Sequence, residues 1–119
     1  NILLMIMNVK IENTKAQMRK GILDFCILLV LSKKDAYPSD IIQEMKNADI
    51  NVPEGTLYPL LMRLKNDEFL TYRWEESTMG PPRKYYQITE KGREFLADLT
   101  VSWNELSQSI QKLEDLNKH

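Results

Sequence analysis

Leu99, Trp103, Leu106, Ile110 and Leu113 succeed one another at spacings of four, three, four and three residues near the end of the 119-residue chain. Such a heptad stripe lies along one side of a long helix. Thr89 is a suitable N-cap for it, and the pattern predicts a helix from there to about Asn117, roughly 40 Å at 1.5 Å per residue. A chain of this length forms one domain with a thin core. Little of it is left to cover the far half of such a helix, and an open apolar stripe calls for another copy or another protein. These five residues are therefore read as a dimer interface, and the chain as a homodimer.

The preceding residues read as three short helices and a hairpin. Residues 14 to about 32 read as one helix, with Met18, Ile22, Cys26, Leu29 and Val30 on its apolar side. A second helix opens at Tyr37–Pro38 or Ser39 and carries Ile41, Ile42 and Met45. The polar segment NADINVPEG forces a sharp turn before a third helix, which opens at Pro53 or Thr56, runs to about Glu68 and carries Leu57, Leu60, Leu61 and Leu64. Pro59 is expected in or near its first turn, because proline damages a helix interior. The segments FLTYRWEE and KYYQIT alternate as strands do, and TMGPPR between them is a turn signal. A hairpin directly after a helix-turn-helix is a wing. The expected fold is mainly α with a small β-hairpin: a winged helix-turn-helix over 14–89, then a dimerisation helix over 90–117. Residues 1–7, NILLMIM, are apolar but too short to span a membrane and lack the basic flank of a signal peptide. They are expected to be a disordered or foreign leader, with Met7 an alternative start.

Charge sharpens the reading. The net charge is −1, with 43% hydrophobic and 28% charged residues, so overall basicity does not announce nucleic acid. The distribution is uneven, however: Lys15, Arg19, Lys20, Lys33 and Lys34 crowd residues 14–34 against Asp24 alone. A local basic surface is what phosphate contact requires. The one cysteine, Cys26, precludes an intrachain disulfide, reads as a small buried hydrophobe and suits a reducing cytoplasm. The one histidine is terminal, His119. Metal-ligand spacing, a phosphate-cradling glycine loop and a nucleophile beside a base are all missing from the sequence. An enzyme, a metal site and a cofactor are therefore not expected, and Glu75–Glu76 read as solvated charges.

The run EGTLYPLLMRLKNDEFL followed by GPPRKYYQITEKGREFL closely resembles the PadR family of bacterial transcriptional regulators. The likeness spans roughly residues 16–117. Its most specific parts are Gly55 to Leu60 through Arg63-Leu64, and Arg83 to Tyr86 with Thr89 and Gly92; Arg19-Lys20-Gly21 also fits. The chain departs from the pattern at Pro38-Ser39-Asp40 and at Asp67-Glu68-Phe69, where a glycine often ends the third helix. The resemblance implies a dimeric winged-helix repressor whose last helix packs on its partner's first and last helices.

Double-stranded DNA is the expected partner. Thr56, Tyr58 and Arg63 lie on or near the proposed recognition helix, Arg83 and Lys84 on the wing, and Lys15, Arg19 and Lys20 beside the duplex. Each also has a plainer reading: a helix cap for Thr56, a core aromatic for Tyr58, solvated charges for the others. Segment 102–114, SWNELSQSIQKLE, is similar to the LmrR-like multidrug-sensing branch, which implies a planar aromatic effector held by paired Trp103 side chains. The alternative is a plain interface anchor. The rival function is a winged-helix protein-interaction module that never touches DNA.

Overall fold

The computed structural model describes residues 1–116; the expected end of the last helix at Asn117, and His119, lie outside them. The element order is α1 (Ile2–Lys20), α2 (Leu23–Lys33), α3 (Pro38–Asn47), α4 (Glu54–Asn66), β1 (Leu70–Glu75), β2 (Arg83–Ile88) and α5 (Glu90–Asp115). The helix expected over residues 14–32 is two helices. Gly21 and Ile22 separate them, Ile22 sitting at φ −112° and ψ 3°. Glycine is a poor helix former, and the two sides of the break have different tasks. α1 buries none of its residues, whereas α2 drives Leu23, Ile27, Leu28 and Leu31 into the core. The expected apolar side was thus one step off: Met18 is 73% exposed and Leu29 39%. Residues 2–7, expected to lack order, form the first turns of α1, capped by the Asn1 side chain accepting from the Leu3 amide at 2.9 Å.

α3 and α4 form the helix-turn-helix. α3 contributes Ile41 and Met45, and α4 contributes Leu57, Leu61 and Leu64, at spacings of four and three on one helical side. Pro59 lies further into α4 than expected, in its second turn. Its ring removes one amide hydrogen bond, and the carbonyl thereby freed belongs to Gly55, which is exposed and open to water. The hairpin is antiparallel, pairing Leu70 with Ile88, Tyr72 with Tyr86 and Trp74 with Lys84. Ala36 adds a single bridge to Tyr86, tying the wing to the loop before α3.

One joint connects α4, the wing and α5. Thr89 caps α5 by accepting from the Gly92 amide at 2.9 Å, while its hydroxyl donates to the Glu68 carbonyl at 2.7 Å and its amide to the Phe69 carbonyl at 3.0 Å. Phe69 and Phe95 stack face to face at 4.1 Å. A Cβ on Gly92 would sit 2.1 Å from the Phe69 carbonyl oxygen, so only glycine fits there. Glu68 stands at φ 68°, where a side chain is strained and glycine is not.

Two substitutions probe this joint. Glu68→Gly should raise stability by about 0.5–1 kcal/mol, relief of left-handed strain exceeding the extra unfolded-state entropy of glycine. Gly92→Ala should lower it by about 3 kcal/mol, at the upper end of overpacking costs. Chemical denaturation of both variants checks the pair, and an unaffected Gly92→Ala midpoint would refute the close approach.

Candidate nucleic-acid interface

α4 buries one side in the body and carries different chemistry on each flank. Leu57, Leu61 and Leu64 face inward. At 100° per residue, Tyr58 and Lys65 fall on the side toward the wing, Met62 between that side and the face turned away from the core, and Thr56 and Arg63 on the side toward α1 and α2. The structure brings the predicted residues together in two groups rather than one.

The wing-side group is a cleft of about 420 Å³ whose lining includes Tyr58, Arg83 and Lys84, together with Pro38, Ser39 and Trp74. Tyr58 is 50% exposed, so it is not a core aromatic. Arg83 and Lys84 leave opposite faces of β2, as neighbours in a strand must. Arg83 donates to the Ser39 hydroxyl at 2.9 Å and lies 3.8 Å over the Tyr37 ring. Lys84 lies 4.6 Å over Tyr72 and 5.5 Å from the Trp74 ring centre. Aromatic rings thus fix the direction of both cations while leaving them wet. Burial, then the neighbouring Tyr72 and Tyr58, push the Tyr86 phenol up, so it remains protonated at the cleft wall. On the wing face shared with Arg83, Arg73 is held by Glu75 at 2.7 Å and Asp35 at 3.6 Å, so Glu75 is paired rather than simply solvated.

The second group lies across α4. Thr56, Arg19 and Lys20 line a cleft of about 450 Å³ with Leu23, Val52 and Pro53. Pro53 occupies the N-cap position of α4, so Thr56 is not the cap. Lys15 is one α1 turn further out and pairs with Glu12 at 3.4 Å. Arg63 is brought to neither cleft: its guanidinium donates to Asp24 of α2 at 2.5 Å. The other Asp24 oxygen, Oδ1, is buried.

The residues read as a dimer interface divide along α5. Leu99 packs against the chain's own core, and Trp103 sits 6.3 Å from Phe25 of α2. Leu106, Ile110 and Leu113 are 53%, 45% and 64% exposed. Gly21, Ile22, Phe25, Leu99, Trp103 and Leu106 border a shallow groove of about 130 Å³. Nearby, burial raises the Cys26 thiol, keeping it protonated and poorly nucleophilic.

Sequence reasoning missed Ser39, Met62, Lys65, Trp74 and Asp24. Two signals could have found them. Tyr58, Met62 and Lys65 repeat the four-three spacing of the buried leucines one step along, and strand alternation puts Tyr72 and Trp74 on the face shared with Lys84 and Tyr86. The Asp24–Arg63 pair joins residues 39 positions apart and had no local signal.

A helix-turn-helix followed by a wing, with cations on both flanks of the second helix, defines a winged-helix DNA-binding protein. The chain belongs to the PadR-like family of transcriptional regulators, whose family model matches residues 27–98. It is similar to a PadR-like transcription factor from Bacteroides fragilis, with 58% identity and a TM-score of 0.73 over 85% of this chain and 98% of that one. It is also similar to a PadR family regulator from Eggerthella lenta, with 29% identity and a TM-score of 0.81 over 92% and 96%. A PadR-like regulator from Bacillus cereus shares 37% identity, with a TM-score of 0.71 over 82% and 95%. These are transcriptional regulators rather than enzymes. Among the described residues, no helix is long and apolar enough to cross a membrane.

The Asp24–Arg63 pair gives this site its own prediction. A double-mutant cycle with Asp24→Asn and Arg63→Gln should yield a coupling of about 0.5–1 kcal/mol that falls with added salt, as for a partly exposed ion pair. Strict additivity of the two substitutions would show that the pair does not hold α4 to α2.

Proposed function

We propose that this chain is a cytoplasmic, homodimeric repressor that binds a pseudo-palindromic operator and is released by a planar aromatic effector. The observation that carries the DNA-binding part is the flanking of α4 by two basic groups, Arg83 and Lys84 on one side and Arg19 and Lys20 on the other. A helix about 10–12 Å across fills a major groove about 12 Å wide, so both of its flanks meet a phosphate wall. Two-fold symmetry then spaces the recognition helices roughly 34 Å apart.

Dimerisation is supported by the exposed apolar side chains of α5 and by α1, where Ile2 through Met7 are all more than half exposed. The groove beside Trp103 supports an effector site only with a second copy. At about 130 Å³ it falls short of the roughly 300–1,000 Å³ of typical ligand sites, and a symmetry-related groove facing it would supply the remainder. The exposed helix faces also suit the rival reading, a protein-interaction module. The two differ in salt response, since phosphate contacts make affinity fall steeply with salt.

Gel shifts at several salt concentrations should show that steep fall. Arg83→Ala with Lys84→Ala should weaken binding to all sequences and flatten the slope by about one unit per lost phosphate contact. Salt-independent or undetectable DNA binding would favour the interaction module. Sedimentation should give a dimer at micromolar concentration, and Leu106→Asp should dissociate or unfold it, because the introduced charge would be buried; a stable wild-type monomer refutes the assembly. In a Trp74→Phe background, a flat cationic dye should quench Trp103 fluorescence, and Trp103→Ala should abolish dye binding while leaving the dimer intact. Absence of quenching at high micromolar dye would make Trp103 an interface anchor.

A further inference from the structure

The face of α4 turned directly away from the core is formed by Gly55, Pro59, Met62 and Asn66, all exposed. They follow at spacings of four, three and four, so they form one strip along the helix. Met62 is 63% exposed and stands at its middle. Asn66, at the C-terminal end, carries the strip's one strong hydrogen-bonding side chain; over the rest Gly55 offers none, Pro59 lacks even its amide hydrogen, and the Met62 thioether is a weak acceptor. Charged and hydroxyl groups flank it, with Tyr58 and Lys65 toward the wing, where Met62 and Asn66 border the same cleft, and Thr56 toward α1. Arg63 is the α4 side chain best suited to a bidentate contact with guanine, but its guanidinium is committed to Asp24 at 2.5 Å.

We propose that Met62, with Pro59, is a specificity-determining residue that reads thymine methyl groups in the major groove. This rests on the DNA-binding reading above. When the flanks of α4 meet the phosphate walls, the strip between them faces the base edges. The apolar mark among those edges is the C5 methyl of thymine, and burying it against a thioether and a proline ring removes apolar surface from water on both partners. Pro59 also keeps its part of the strip stiff, and Gly55 leaves space for close approach at the helix N-terminus.

Replacing thymine by uracil removes that methyl and leaves Watson–Crick pairing intact. The full chain is used to enrich duplexes from a randomised library, and each thymine of the enriched half-site is replaced by uracil in turn. At one or more thymines, the wild-type protein should lose about fourfold in affinity, the value of one buried methyl-sized group. Met62→Ala should bind the thymine duplex more weakly and show less than a twofold response to the same uracil. Met62 is exposed, so this variant should melt as the wild type does. Met62→Gln should shift the enriched sequence toward adenine at that position, because glutamine pairs with adenine in the major groove. Wild-type indifference to uracil at every thymine overturns the proposal while leaving DNA binding in place. So does a uracil response that Met62→Ala retains in full. Failure to enrich any sequence overturns the DNA-binding reading and this proposal with it.

Discussion

The contact between Gly92 and the Phe69 carbonyl is the constraint on which the arrangement depends. At this one place in the fold the chain ends α4, starts the wing, closes the wing and starts α5. Those four events share the bonds of Thr89, the stacking of Phe69 on Phe95, and the Lys91 ammonium donating to the Asp67 carbonyl at 3.1 Å. A side chain at position 92 would push α5 away from β1 and break all of them together. The strained Glu68 is held in place by the same closure: its carbonyl is the acceptor for Thr89.

From that joint the two flanks of α4 acquire different characters. The wing flank is aromatic and rigid, its cations lying over Tyr37, Tyr72 and Trp74. The opposite flank draws Arg19 and Lys20 from the end of α1, just before the break at Gly21. Guanidinium and ammonium groups laid over rings lose little hydration and much freedom, so the wing presents a pre-set charge pattern. The α1 flank presents charge carried on a helix that buries none of its residues.

Much of this was legible in the sequence, for identifiable reasons. The heptad of α5, the alternation of the hairpin, the Thr89 cap and the helix-turn-helix all follow from periodicity or from turn chemistry confined to neighbouring residues. What escaped depended on distant parts of the chain. Whether Met18 or Leu23 faces inward is decided by what α3, α4 and α5 place against α2, and Gly21 alone does not announce a break. Arg63 reads as a free cation until Asp24 arrives from 39 residues away. Ser39 looked like a departure from a family pattern, yet in the fold it is the acceptor that holds Arg83. The two clefts beside α4 likewise exist only once α1 and the wing are in position.

α5 is continuous over 26 residues, from Glu90 to Asp115. Its first turn is fastened to the segment that follows α4, and Leu106, Ile110 and Leu113 of its far half are exposed. It therefore has the mechanics of a lever arm about 39 Å long. Pivoting it by about 5° at one end displaces the other by about 3 Å, close to the rise of one base pair along a duplex. A small change in the direction of α5 is thus converted, over its length, into a displacement on the scale of a single base step.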